Sequence, residues 1–146
     1  MGWIYAAIAG AAMSFQGVFN TRLSEKIGLL ESNAFVQGTA FLLSLAAVLI
    51  FGKGNFSLNG QADKLYLSGG AIGLVITVTV MLSMSSLSPT AAVSSILVAQ
   101  LLDAAVIDFF GLFGSEKAPF GWEKFAGVAL MIVGILLFKG VLFKSK

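Results

Sequence analysis

Apolar residues in this chain come in long runs. Five stretches, about 3–21, 33–51, 67–87, 90–113 and 121–142, are apolar almost throughout, and the segments between them hold most of the charges. A helix of about 20 residues rising about 1.5 Å per residue crosses the hydrocarbon core of a bilayer, about 30 Å thick. The pattern therefore predicts an all-α chain: a five-transmembrane-helix bundle forming a single integral membrane domain over residues 1–146.

Polar positions give each run a character. In the first, Trp3 and Tyr5 suit the interfacial aromatic belt. Ala6, Gly10 and Ser14 recur every fourth residue and offer a smooth face to another helix. Gln16 and Asn20, also four apart, put two amides on one stripe. The segment lacks the basic n-region of a signal peptide, and its apolar run continues past the small-residue site that imitates a cleavage point, so it reads as a retained helix.

The polar stretch TRLSEKIGLLES reads as a short turn, and Gln37 in the second run is a weaker candidate for a pocket. GKGNFSLNGQADK reads as an exposed connection. In the third run Gly69, Gly70 and Gly73 permit close approach, while Thr77 and Thr79 are placed to bond back to their own helix. Pro89 is suited to the first turn of the fourth helix.

Composition agrees with this pattern. Of 146 residues, 58% are hydrophobic and 11% charged, with a mean hydropathy of +0.95, which points to an integral membrane protein embedded in a lipid bilayer. The chain contains no Cys and no His, which removes thiol and imidazole chemistry, disulfides and the common zinc and haem ligand sets. No metal site and no cofactor is expected. A net charge of +2 without a basic patch gives no sign of nucleic acid.

The fourth run is chemically at odds with itself. It carries Gln100, Asp103 and Asp108 in an otherwise apolar span. A carboxylate at mid-membrane costs about 2.5–3.5 kcal/mol or more, so it normally faces a partner or a wet cavity. On an ideal helix Gln100, Ala104 and Asp108 fall within about 80° of arc, with Asp103 about 60° to the other side of Gln100. Gln16, Asn20, Gln100, Asp103 and Asp108 are the candidate substrate-binding residues. Amides would hold a solute's polar groups, and a carboxyl would exchange a proton for a cation, as intramembrane acids do in transporters. The two acids stand about 140° apart on one helix, which argues against an aspartyl-protease dyad; no enzyme is expected.

Five spans place the ends of the chain on opposite membrane faces. One face then receives Lys53, Lys64, Lys117 and Lys124, the other Arg22, Lys26, Lys139, Lys144 and Lys146. So even a split gives the positive-inside rule little to act on. A chain inserted both ways would pair with an inverted copy, the symmetry that other transporters achieve with internal repeats.

On these residues the chain resembles the YdcZ family, the short five-helix branch of the drug/metabolite transporter superfamily, over essentially its whole length. Gln16, Asn20 and Leu23 resemble a Q-x-x-x-N-x-x-L signature, FVQGT from Phe35 resembles a Phe-x-x-Gly-Thr element, and AQLLDAAVIDFFGLFG sets Gln100, Asp108, Phe110 and Gly111 on motif positions. Ser14, Ala99 and Phe109 depart from the usual Pro, Gly and His, and Asp103 matches no acidic family position, which points it toward this protein's own choice of substrate. GVALMIVGI, from Gly127 to Ile135, is similar to the dimerisation motif in the last helix of small multidrug resistance transporters, marking Gly127, Leu130 and Gly134 as a dimer interface. The resemblance implies an inner-membrane exporter working as an antiparallel dual-topology dimer with itself or with a paired homologue; the amides and carboxyls of the candidate site point to a small polar or cationic solute. The alternatives are a passive small-ion channel formed by such a dimer and a non-transporting membrane subunit.

Overall fold

The structure, a computed structural model, describes residues 1–56, 60, 63–119 and 121–138. The described residues form five α-helices: α1 (Gly2–Ile27), α2 (Leu29–Phe51), α3 (Gly69–Ser86), α4 (Pro89–Phe110) and α5 (Trp122–Phe138). No strand occurs among the described residues. The all-helical expectation holds, and α1, α2, α4 and the 66–86 segment containing α3 are each long and apolar enough to cross a membrane. The last expected span reaches Leu142, but its residues beyond Phe138 lie outside the described ones, together with Lys139, Lys144 and Lys146.

The side chains face outward. In α2 the most hydropathic window averages 2.1 and none of it is buried, and Leu43, Leu49, Ile50 and Phe51 are all exposed. Water would not tolerate so continuous an apolar surface, whereas hydrocarbon does, provided the backbone bonds are closed within each helix.

The helix boundaries correct one expectation. The polar stretch 21–32 is not a turn: α1 runs on to Ile27, α2 starts at Leu29, and Gly28 alone separates them. Arg, Leu, Glu and Lys are good helix formers, so polarity here marks the exit from the hydrocarbon and not the end of the helix. An exposed Arg22–Glu25 pair at 3.0 Å supports the last turns, and Lys26 suits the negative end of the α1 dipole. Gly28 (φ 105°, ψ 156°) makes the corner, donating its N–H to Ser24 O (3.0 Å) while its carbonyl accepts from Ser32 N–H (3.0 Å).

The chain forms two compact units, Met1–Pro89 and Thr90–Lys146. In the first, α1 packs on α2 and α3. The buried residues are few: Gly17, Asn20 and Thr21 on α1, Ser32 and Asn33 on α2, and Met81 and Met84 on α3. Thr21 Oγ1 donates to Gly17 O (2.8 Å), and Ser32 Oγ ties α2 to α1 by donating to Asn20 O (3.2 Å). α3 approaches α1 closely at Gly17: a Cβ there would lie 2.6 Å from Met84 Cε and 3.3 Å from Val80 Cγ1. Met84 can yield a little to a methyl group, but not to a larger side chain. Gly17→Leu is therefore expected to destabilise the first unit by about 1–3 kcal/mol, read as a lower unfolding midpoint in detergent.

Helix α3 follows a short polar lead-in. Asp63 Oδ1 accepts from Leu65 N–H (2.9 Å) and launches the 3₁₀ turn Tyr66–Ser68. Within α3 the expected back-bonds form: Thr77 Oγ1 donates to Gly73 O (2.9 Å), and Thr79 Oγ1 lies 2.8 Å from Val75 O. The stripe of Ala6 and Gly10 is exposed, and a Cβ on Gly10 would meet no described atom within 4 Å.

Helix α4 opens on Pro89, the last residue of the first unit, as its sequence predicts, and runs through the second, but closes at Phe110 and not at Phe113. Gly111 (φ 64°, ψ 40°) takes the left-handed conformation that ends helices, and Leu112–Gly114 form a 3₁₀ turn.

Candidate functional site

The five candidate binding residues fall on both units. In the first, Asn20 is buried at the α1–α2 packing and Gln16, one turn earlier, is exposed. The amide stripe thus divides into a packed end and an open end. In the second unit, Gln100 and Asp103 are exposed on α4 and Asp108 is half-buried.

Asp108 owes its position to the loop beyond α4. The Ala118 N–H donates to the Asp108 carbonyl (3.0 Å), and Ser115 Oγ reaches Leu112 O at 2.9 Å and Ile107 O at 3.4 Å. The chain doubles back so closely that a Cβ on Gly111 would lie 2.6 Å from Lys117 Cγ and 3.2 Å from Ser115 O. These contacts satisfy carbonyls that the last turn of a helix leaves open. They also fix the backbone that carries the carboxyl.

Asp108 lines a cavity of about 260 Å³ between α4 and α5. Leu101, Ala104 and Ala105 form the α4 side, and Lys124, Gly127, Val128 and Met131 the α5 side. Gln100 and Asp103 are not among its lining residues. The cavity thus combines one acidic and one basic side chain with a largely aliphatic wall, and it brings Asp108 together with Gly127 of the expected dimer motif. Lys124, which the charge pattern assigns to one membrane face, stands in the first turns of α5 and is half-buried. Its position three residues before Gly127 was the available sign.

The expected interface residues are open in this chain. Leu130 is 70% exposed, and a Cβ on Gly127 or Gly134 would meet no described atom within 4 Å.

Long apolar helices with outward-facing side chains, and an acid kept beside a small cavity, define a multi-pass helical membrane protein with a polar site in an apolar span. Residues 1–137 match the YdcZ family, described as “putative inner membrane exporter, YdcZ”, and the chain belongs to that family of the drug/metabolite transporter superfamily. It is an inner-membrane protein of exporter type, which accords with the expectation that it is not an enzyme. No curated protein and no solved structure matches the chain significantly.

Proposed function

We propose that the protein exports a small polar or cationic solute by alternating access, with Asp108 binding cation and proton in turn. The observation that carries this reading is Asp108, half-buried and lining a cavity with Lys124 on an otherwise apolar span. A carboxyl there is costly unless ions or water reach it. Gln100 and Asp103, exposed on the same helix, and Gln16 and Asn20 on α1 would complete the path in the assembled transporter.

The assembly we propose is an antiparallel pair of copies joined through Gly127, Leu130 and Gly134. The near-even division of basic residues between the membrane faces supports insertion in both orientations. The open glycine face of α5 supports close approach of a second helix.

The test is flux into proteoliposomes holding the purified full chain, with a panel of small amines, amino acids and neutral metabolites under an imposed proton gradient. Saturable uptake that collapses when the gradient is dissipated is the expected result. Large currents that do not saturate would identify a channel instead. Reporters fused after residue 146, each active on one membrane face only, are expected to give signal on both faces; signal on a single face would refute dual insertion.

A further inference from the structure

A second cavity, of about 350 Å³, lies between α4 and α5 toward the other end of their seam. Thr90 and Ser94 border it from the first turns of α4, and Gly134, Ile135 and Phe138 from the last turns of α5. Half-buried Met131 lines both this cavity and the one at Asp108, so a single side chain stands where the two meet. From Ser94 to Asp108 the seam follows α4 for about 21 Å, at about 1.5 Å per residue, which is most of a hydrocarbon core about 30 Å thick.

Ser94 sets this seam apart from a packing gap. A helical serine or threonine hydroxyl commonly bonds back to the carbonyl four residues earlier and so needs no other partner. Thr21, Thr77 and Ser95 do so. Ser94 does not: half-buried beside the cavity, it makes no hydrogen bond among the described residues, and neither does Thr90. Its oxygen is not sealed in protein, as the unpartnered amide oxygen of Asn33 is. An unmatched hydroxyl in an apolar span is costly unless water or a solute meets it. The α5 wall leaves room for either, because Gly127 borders the first cavity and Gly134 the second, and a Cβ on neither would meet a described atom within 4 Å.

We propose that the α4–α5 seam of a single chain is a hydrated solute path, with Ser94 a second polar station beyond Asp108 and Met131 the side chain that admits or bars passage between them. The solute class it serves is a small primary ammonium ion. Such an ion leaves the Asp108 carboxylate for the Ser94 hydroxyl oxygen, which accepts its N–H without holding it by charge. Methionine suits a gate, since its unbranched thioether chain turns about three bonds. The proposal rests on the exporter reading for its solute and adds to it a route within one chain. An inverted copy lying over the glycine face of α5 would roof this seam, whereas one packed into it would fill it.

The chain contains no Cys, so single cysteines report on the seam without background. Ser94→Cys and Met131→Cys are the reporters, and Val133→Cys, exposed on α5 and outside both cavities, is the control. The probe is methanethiosulfonate-ethylammonium, applied to the full chain in proteoliposomes. A thiol reacts as its thiolate, which forms where water reaches it, so both reporters should be modified about tenfold or more faster than the control. Leu97→Cys, bordering the same cavity, takes the place of Ser94→Cys should that variant fail to fold. Equal rates at all three positions, or unreactive reporters, would show a seam filled by packing and overturn the path. Ethylammonium attached at Met131→Cys should also block solute flux, and dithiothreitol should restore it; flux that persists after full modification would take Met131 off the path. Labelling needs no transport, so failure of proton-driven flux leaves the seam standing, and a transporting parent with unreactive reporters refutes the seam alone.

Discussion

Replacing Asp108 by Asn is expected to reduce proton-driven flux by about tenfold or more while leaving the fold and the expression level unchanged. The substitution keeps shape and polarity but removes the group that can lose a proton, and general acid–base groups commonly contribute two orders of magnitude or more to the steps they serve. The fold should survive because the anchoring bond, from Ala118 N–H, goes to the backbone carbonyl of residue 108 and is untouched. The variant should therefore still bind solute, now without dependence on the proton gradient. Asp103→Asn is the informative comparison. Asp103 is exposed on α4 and is absent from the lining of the Asp108 cavity, so its loss should change which solutes are carried more than whether protons drive them. Wild-type coupling in Asp108→Asn, measured in proteoliposomes under a defined pH gradient, would remove this residue from the mechanism.

The largest structural effect is expected at Gly28. Its backbone conformation (φ 105°, ψ 156°) is one that L-residues with side chains avoid, and forcing one into it costs about 1–3 kcal/mol. A Cβ at that position would also meet the Glu31 carboxylate. Gly28→Ala should therefore lower the unfolding midpoint clearly. Removing the Glu31 side chain in the same molecule should recover only part of the loss, because shortening it relieves the contact and leaves the backbone strain. Full recovery in Gly28→Ala/Glu31→Ala would show that crowding, not conformation, governs the corner. Intrinsic tryptophan fluorescence during thermal unfolding in detergent reads both variants.

Much of the helical plan is legible in the chain because the bilayer imposes it. Runs of apolar residues of bilayer length have few alternatives, and Pro89, Thr77 and Thr79 announce their roles through chemistry that is local to a few residues. The boundaries are less legible where polarity imitates a turn. Residues 21–32 contain Arg, Glu and Lys, which mark a membrane surface, yet the same residues favour helix, and only the backbone at Gly28 decides where one helix stops. Similarly, the end of α4 depends on Gly111 entering the left-handed region, three residues before the apolar run itself gives out.

The site residues divide in the same way. Asp108 stands out in the sequence because an acid in a hydrocarbon span demands an explanation. Lys124 does not, since a single polar residue near a helix end is ordinarily interfacial. Its significance comes from what lies across a cavity from it on α4, and no spacing along the chain encodes that. Gln16 and Asn20 share a stripe by periodicity, but packing buries one and exposes the other.

The one-residue joint at Gly28 also bears on how the protein is made. With a single non-helical residue between two spans of bilayer length, the second must start at the membrane surface where the first stops, so the ribosome delivers both as one hairpin. Its tip carries Arg22, Glu25, Lys26 and Glu31, two cations against two anions, and one cation is already paired with an anion at 3.0 Å. Translocating such a tip moves no net charge across the membrane potential. The hairpin tip itself therefore gives the membrane potential little reason to prefer one sidedness over the other.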